Sequence, residues 1–417
     1  MAFDAIISPS KLSGKVSVPP SKSHLHRALF ASSLSSETSR IRGFATSDDI
    51  ESTIRVIRAA GASLSIENDE IDVKGPWRID GRRLDIDIGD SATSLRLALP
   101  LLAGADAVSF TLGESLSKRP FSDYRMVFGE ALSLEGTTLH FSGDLEAGHF
   151  TFDNPTSSQP LSGLLFALPL HERASKIRVD RLGSRPYVDM TIAILRKHGI
   201  TIDESDETFE IPGRQAYRPA DIVIEGDASH AALWLAAGTV HPAIRVAGFR
   251  ENGLQGDARI VPMLRRIGGE VFTDDGCLGA KMPKTSFTVD IDATPDLAFA
   301  YALMMAFCES DSRLVNAERL AYKESDRLRT IAAVINRLGG AAATNGNRLI
   351  ISGRDAYAGG ADIDAENDHR IVMFATLLGG LCERPVRIRG AHAVRKSYPR
   401  FFEDFAALGG QVETVPR

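Results

Sequence analysis

The chain has 417 residues, 43% hydrophobic and 24% charged, ordinary values for a globular enzyme of two or three domains. Its net charge of −6 argues against wholesale binding to nucleic acid or to an anionic membrane, and no apolar run is long enough to span a bilayer. Cys277, Cys308 and Cys382 form no CxxC pair, and the Met1–Asp4 opening lacks a basic-then-apolar leader, so a reducing, cytoplasmic setting is expected.

In chain order, "VPPSKSHLHRALFASSL" predicts a helix that its prolines hold off until Ser21, with Lys22, Ser23 and Arg27 in the opening turns; Ser23 and Arg27 lie four apart and share a face. "LDIDIG" alternates like a strand and turns through "DSATSLR" into an apolar helix. That turn suits an anion site or a plain cap, with Asp90 as the capping acid and Ala92 where a phosphate cradle more usually carries Gly. "NPTSSQPLSGLLFALPL" sets Ser157, Ser158 and Gln159 before an apolar helix whose Pro160 fits the first turn. "TPDLAFAYALMM" offers Thr294 as cap, followed by Asp296. "YKESDRLRTIAAVINRLGG" brings Lys323, Glu324 and Arg327 to a helix start, and "ENDHRIVMFATLLGG" brings Asp368, His369 and Arg370.

The chain also repeats itself. A helix end, a glycine, a strand and a polar turn recur around Gly61, Gly136, Gly199, Gly268, Gly339 and Gly409, at spacings of 75, 63, 69, 71 and 70 residues. Six modules of one design are expected, three in each of two domains. The last copy stops before its closing strand, which "AIISPSKLSGKVSVP" at the start of the chain can supply. The domains are therefore drawn as residues 1–19 plus 227–417 and residues 20–226, with the chain crossing near Pro19–Pro20 and near Gly226 and a cleft between the halves.

If the modules are arranged alike, their helix starts converge. Lys22, Arg27, Arg96, Arg119, Lys323, Arg327, Arg370 and Lys396 would then share a pocket whose mutual repulsion only multianionic ligands offset. Small phosphates and carboxylates are the substrates such a pocket takes. Asp296, Glu324 and His369, the minority residues, become candidates for proton transfer.

Taken together, "SKSHLHRA", "GDSATSLR", "SKRP", "SSQ", "SRPY", "PD", "KESDR", "NDHR" and "RKSYP" occur in the order and spacing of the EPSP synthases, the 3-phosphoshikimate 1-carboxyvinyltransferases, and the chain resembles that family from about Lys11 to Phe405. The resemblance implies an α/β, two-domain enolpyruvyl-transferase-like fold, each domain three βαβαββ repeats, with the active site in the cleft between domains. It implies transfer of the enolpyruvyl group of phosphoenolpyruvate to the 5-hydroxyl of shikimate 3-phosphate, without metal or organic cofactor, in a cytoplasmic monomer. Lys22 would touch both substrates. Ser23, Arg27, Ser157, Ser158, Ser184, Tyr187 and Lys323 would hold shikimate 3-phosphate, and Gln159 both substrates. Arg119, Arg327, Arg370 and Lys396, with Arg96 nearby, would clamp phosphoenolpyruvate. Asp296 is expected to accept the 5-hydroxyl proton and Glu324 to serve protonation of the methylene carbon, assisted by Lys22 and His369, with acid and base left open among Lys22, Asp296 and Glu324.

Against this family, His24 and His26 read as helix-face residues, Arg319 stands where some members have an Asn that contacts the shikimate ring, and Asp90 stands where many have Asn. Backbone N–H groups around Ala92 would lie near the donor phosphate. The methyl group of Ala92, where most members have Gly, implies reduced sensitivity to glyphosate. The UDP-N-acetylglucosamine enolpyruvyl transferases share fold and donor but use a Cys on a mobile loop of the first half, and "SLSKRP" has none. A non-catalytic sugar-phosphate module would lack Lys22, Asp296 or Glu324, and no G-x-G-x-x-G supports a Rossmann oxidoreductase.

Overall fold

The computed structural model describes residues 2–417, and the chain divides into two compact units. One runs up to Pro19 and resumes at Gly226–Arg417; the other is Pro20–Glu225. We call these the split unit and the continuous unit. Thirteen α-helices follow in order: α1 (Lys22–Ser33), α2 (Asp48–Ala59), α3 (Ala92–Ala98), α4 (Glu114–Ser117), α5 (Ser122–Phe128), α6 (Gln159–Ala167), α7 (Arg185–Lys197), α8 (Ala228–Val240), α9 (Ile260–Arg266), α10 (Ala298–Met305), α11 (Arg327–Arg337), α12 (His369–Gly379) and α13 (Phe401–Ala407). Among the described residues no helix is long and apolar enough to cross a membrane.

Six four-stranded sheets share one strand order. In the sheet of Arg83–Gly89, that strand runs parallel to Ala107–Leu112, which is antiparallel to Thr138–Phe141, which closes a hairpin with Leu132–Glu135. Three such sheets belong to each unit, and the protein is an α/β fold of repeated βαβαββ modules. Two modules take strands from distant parts of the chain. Gly14–Ser17 leads the sheet of Ile244–Ala247, and Asp221–Val223 leads that of Ser39–Arg42. In the sixth sheet Phe3–Ser8 lies between Val386–Arg389 and Gln411–Pro416, antiparallel to both. It fills the place that the second hairpin strand fills elsewhere, as the truncated final repeat requires.

The two helices of a module differ in composition for a physical reason. The helix joining the parallel pair is apolar all round and lies in the core. All eight residues of α10 are buried, and so are eleven of α12 from His369 to Gly379. In the split unit α8 packs on α10 and α10 on α12; in the continuous unit α1 packs on α3 and α3 on α6. The second helix is amphipathic. In α2, Ile50, Ile54 and Ile57 face the core, Arg58 faces solvent, and Ser47 caps the start by accepting from the Ile50 N–H at 3.4 Å. Site residues gather near helix starts, on core helices such as α1 and α12 and on the amphipathic α7 and α11.

Glycine ends the second helix of every module, but one of the expected six glycines is different. Gly61, Gly199, Gly268, Gly339 and Gly409 follow helices with φ of 79 to 99°. Each is followed by an N–H that reaches back five residues, as Gly340 does to the Ile335 carbonyl at 2.9 Å. Gly136 instead lies in the hairpin turn between Leu132–Glu135 and Thr138–Phe141. The helix-end glycine of that module is Gly129, after α5. With Gly129 in its place the spacings become 68, 70, 69, 71 and 70 residues. At Gly339, φ is +94° and an added Cβ would lie 3.2 Å from the Ala358 Cβ, whereas at Gly136 it would meet open space. Gly339→Ala is expected to lower unfolding free energy by about 1–3 kcal/mol, and more than Gly136→Ala, in urea titrations of both.

Candidate active site

The continuous unit gathers cations and hydroxyls. Ser21 caps α1, accepting from the His24 N–H at 3.4 Å, so Lys22 opens the helix as the prolines predict. Lys22 Nζ lies 2.5 Å from Asp49 Oδ2 at the start of α2, an acid the sequence reading did not single out. Arg27 is 1% exposed. Its Nε donates to Thr191 Oγ1 at 2.8 Å, its Nη1 to the Ser23 carbonyl at 2.9 Å, and its guanidinium lies 5.8 Å from the Tyr187 ring. No carboxylate pairs with it among the described residues, and burial pushes its pKa down to about 10, with Tyr187 opposing. A buried guanidinium held only by neutral oxygens is stabilised by an arriving anion.

Beside it, Arg96 Nη1 donates to Gln159 Oε1 at 3.1 Å, and Gln159 Nε2 to Thr93 Oγ1 at 2.8 Å, joining the starts of α3 and α6. Ser157 Oγ accepts from the Gln159 N–H at 3.2 Å. Ser158 is buried, and Ser184 stands in left-handed backbone, φ 56°, just before α7 carries Tyr187. Arg119, 8% exposed, follows α4.

The turn "IGDSATSLR" is a cap, arranged differently from the expectation. Ser91, not Asp90, caps α3, its hydroxyl accepting from the Ser94 N–H at 3.4 Å. The Ala92 N–H is taken by the Asp90 carbonyl at 3.0 Å. Two of the backbone donors expected near a donor phosphate are therefore engaged within the turn. Asp90 turns its carboxylate to α4, accepting from the Ser115 and Leu116 N–H groups, both at 3.1 Å. His24 and His26 are also not surface-facing: they are 1% and 0% exposed. His26 Nδ1 lies 2.6 Å from Thr53 Oγ1, which lies 2.7 Å from Ser94 Oγ, tying α1, α2 and α3 together.

The split unit concentrates acids around guanidiniums. Arg327, 1% exposed, opens α11 behind its cap Asp326. Its Nε donates to Asp368 Oδ2 at 2.8 Å, Nη1 to Asp296 Oδ1 at 2.8 Å, and Nη2 to Glu324 Oε2 at 2.5 Å and Asp368 Oδ1 at 3.2 Å. Arg370 Nη2 holds Asp296 Oδ2 at 3.0 Å and Ser229 Oγ at 2.9 Å. Ser229 in turn donates to Asp227, the cap of α8, at 2.7 Å. Asp368 caps α12, accepting from the Arg370 N–H at 2.9 Å, and the buried His369 is that helix's first residue. Lys396 Nζ donates to the Asn367 carbonyl at 2.8 Å. Thr294 makes no side-chain cap; a short 3-10 turn, Pro295–Leu297, leads into α10 instead. Arg319 is buried against Asp292.

Charge sets the chemistry of this cluster. Burial alone would raise the Asp296 carboxyl, but Arg370, Lys323 and Arg327 together hold it well below the usual range. Burial, partly offset by Asp296, lowers Lys323. Thus Lys22, Ser23, Arg27, Ala92, Arg96, Arg119, Ser157, Ser158, Gln159, Ser184 and Tyr187 lie in the continuous unit, and Asp296, Arg319, Lys323, Glu324, Arg327, His369, Arg370 and Lys396 in the split unit. The sequence reading missed Asp49, Thr93 and Ser229, and left Asp368 out of the site. Asp368 could have been found from its place four residues after a strand and directly before His369, the pattern of a cap.

Solved structures sharing this fold include an EPSP synthase from Acinetobacter baumannii, with TM-score 0.77, 23% identity and 99% of each chain covered. Another is the enolpyruvyl transferase NikO from Streptomyces tendae, with TM-score 0.77, 19% identity, and 100% of this chain and 99% of that one covered. The chain shares the fold of these two transferases. A family model described as EPSP synthase (3-phosphoshikimate 1-carboxyvinyltransferase) matches residues 6–405. Relatives called 3-phosphoshikimate 1-carboxyvinyltransferase are 36% identical over 416 residues in Clostridium kluyveri, covering 98% of this chain and 97% of that protein, and 33% identical over 426 residues in Clostridioides difficile, covering 98% of each. The chain belongs to the EPSP synthase family.

Burial also lowers His24 to about 4, helped by the charges of Lys197 and Arg27. Its ordinary value is 6.5, so between pH 6.5 and 4 the unfolded chain binds the proton that the folded chain refuses. This contribution to stability is whole above pH 6.5 and is lost as pH falls, by up to about 1.4 kcal/mol per pH unit. His24→Leu is expected to flatten the profile over that window when unfolding free energies are measured from pH 7 to pH 4.

Proposed function

We propose that this chain transfers the enolpyruvyl group of phosphoenolpyruvate to the 5-hydroxyl of shikimate 3-phosphate and releases phosphate, acting as a cytoplasmic monomer. The observation that carries the reading is the pairing of two carboxylates, Asp296 and Glu324, on the one guanidinium of Arg327, with Asp296 held again by Arg370. Two acids in unequal fields suit a reaction that removes one proton and adds another. The 5-hydroxyl oxygen attacks carbon 2 of phosphoenolpyruvate and its proton passes to Asp296. The carbon–carbon double bond opens as the methylene carbon takes a proton on the Glu324 side, with Lys22 and His369 assisting. The tetrahedral adduct then loses a proton from the new methyl group and expels phosphate, which restores the double bond.

Arg27, lacking an acid of its own, supports the grip on the shikimate phosphate, together with Lys22, Ser23, Ser157, Ser158, Gln159, Ser184, Tyr187, Arg319 and Lys323. Arg96, Arg119, Arg327, Arg370 and Lys396 take the donor. Arg370, Lys323 and Arg327 hold Asp296 weakly basic before substrate arrives. Anions placed on Arg370 and Lys323 offset that field and make Asp296 a better base when it is needed.

Phosphate release with both substrates, against UDP-N-acetylglucosamine as the alternative acceptor, tests the reading; release with the sugar nucleotide alone overturns it. Glu324→Gln is expected to leave ligand affinity by calorimetry within a few-fold and to cut turnover by about two to four powers of ten. Ala92→Gly removes a methyl group at the first position of α3, and tighter inhibition by glyphosate is expected in the same assay.

A further inference from the structure

The Asp90 carboxylate reaches past the helix it precedes to another one. Its Oδ1 accepts from the backbone N–H groups of Ser115 and Leu116, 25 and 26 residues ahead, at the start of α4. Gly113, the residue before α4, allows this approach. A Cβ there would stand 2.2 Å from Asp90 Oδ1, so no larger residue fits beside the carboxylate. The Gly113 N–H also donates to the Gly89 carbonyl at 2.7 Å, which binds the loop to the strand end that carries Asp90.

α4 has only four residues, and Arg119 lies two beyond its end. The Arg119 N–H donates to the Leu116 carbonyl at 3.1 Å, and its Nη2 to Ser115 Oγ at 3.4 Å. The two residues that Asp90 grips by their amides are therefore the two that grip Arg119. On another side Arg119 borders a cavity of about 270 Å³ with Phe121, Ser122 and Arg125. One turn of helix is too short to hold itself in place. The cap steadies the turn to which Arg119 is hydrogen-bonded.

We infer that Asp90 is a positioning residue for Arg119: its carboxylate, by capping α4, aims the Arg119 guanidinium at the donor. The inference rests on the reading that Arg119 grips phosphoenolpyruvate. Asp90 also stands directly before Ser91, the cap of α3, so one turn orients two helix starts, one with the Ser91 hydroxyl and the other with the Asp90 carboxylate.

The test uses the full chain in steady-state kinetics with phosphoenolpyruvate and shikimate 3-phosphate varied separately. Turnover by the unaltered protein tests the functional reading by itself. Asp90→Ala is expected to raise KM for phosphoenolpyruvate about 3- to 30-fold, the range spanned by loss of a helix cap, with KM for shikimate 3-phosphate within twofold. Asp90→Asn, whose amide oxygen accepts the same two N–H groups, restores the value. Gly113→Ala, which displaces the carboxylate without removing it, reproduces the defect and serves if Asp90→Ala does not fold. In an Arg119→Ala background neither change raises KM for phosphoenolpyruvate further. An equal rise in both KM values, or a second full rise on top of Arg119→Ala, overturns the inference.

Discussion

A guanidinium taken almost wholly out of water needs its charge met, and Arg327 meets it with three carboxylates from three parts of the chain. Removing one such partner from a buried pair costs about 3–5 kcal/mol, so the starts of α10, α11 and α12 are bound to one another through that single side chain. Asp368 accepts from Arg327, from the Ser325 hydroxyl and from the backbone of α12, and in this way the position of Arg370 becomes tied to that of Arg327. The acids proposed to move protons are not free-standing groups. Their orientation is a by-product of solving a burial problem.

The continuous unit solves the same problem in the opposite way. Arg27 is as deeply buried as Arg327 and is given only hydroxyl, carbonyl and ring partners. One unit has its charges balanced internally, while the other keeps a buried cation whose balance an anion completes. The repeat explains how both arise from one design. Each core helix is largely buried and carries any charged residue within its first two turns, so modules that pack alike present equivalent positions. Different residues then occupy those positions.

The repeat was legible because helix-ending glycines are forced by backbone conformation, and backbone conformation recurs. Its one misreading has the same origin. A hairpin glycine and a helix-end glycine both take positive φ, and in a string of letters Gly136 and Gly129 look alike. The site residues were legible where they lie in local motifs at helix starts. The partners that hold them were not. Asp49 meets Lys22 across 27 residues and Asp90 meets Ser115 across 25, and no spacing rule within a helix or turn reaches so far. Asp90 was expected to cap its own helix because capping propensity says which residues cap, not which helix. His24 and His26 read as helix-face residues, and the faces they occupy lie inside the protein, because α1 is one of the helices buried on all sides.

The strand Phe3–Ser8 sits in the middle of its sheet, with both neighbours drawn from the far end of the chain. Asp4, within it, accepts from Arg387, 383 residues away, and from Arg417. During synthesis this strand emerges long before its partners, with 383 residues between Asp4 and Arg387, so the sixth sheet closes only after the intervening modules have been made. Loop-closure entropy grows slowly with length, and the thermodynamic cost of so long a span is modest. The kinetic cost is larger, because an apolar strand with two open edges must wait unpaired through the folding of everything else. The same arrangement brings Ala2 and Arg417 together, with the Arg417 N–H donating to the Ala2 carbonyl at 3.1 Å. A short linker joining them, with new ends opened between two modules, would let the sixth sheet form from neighbouring sequence and remove that wait.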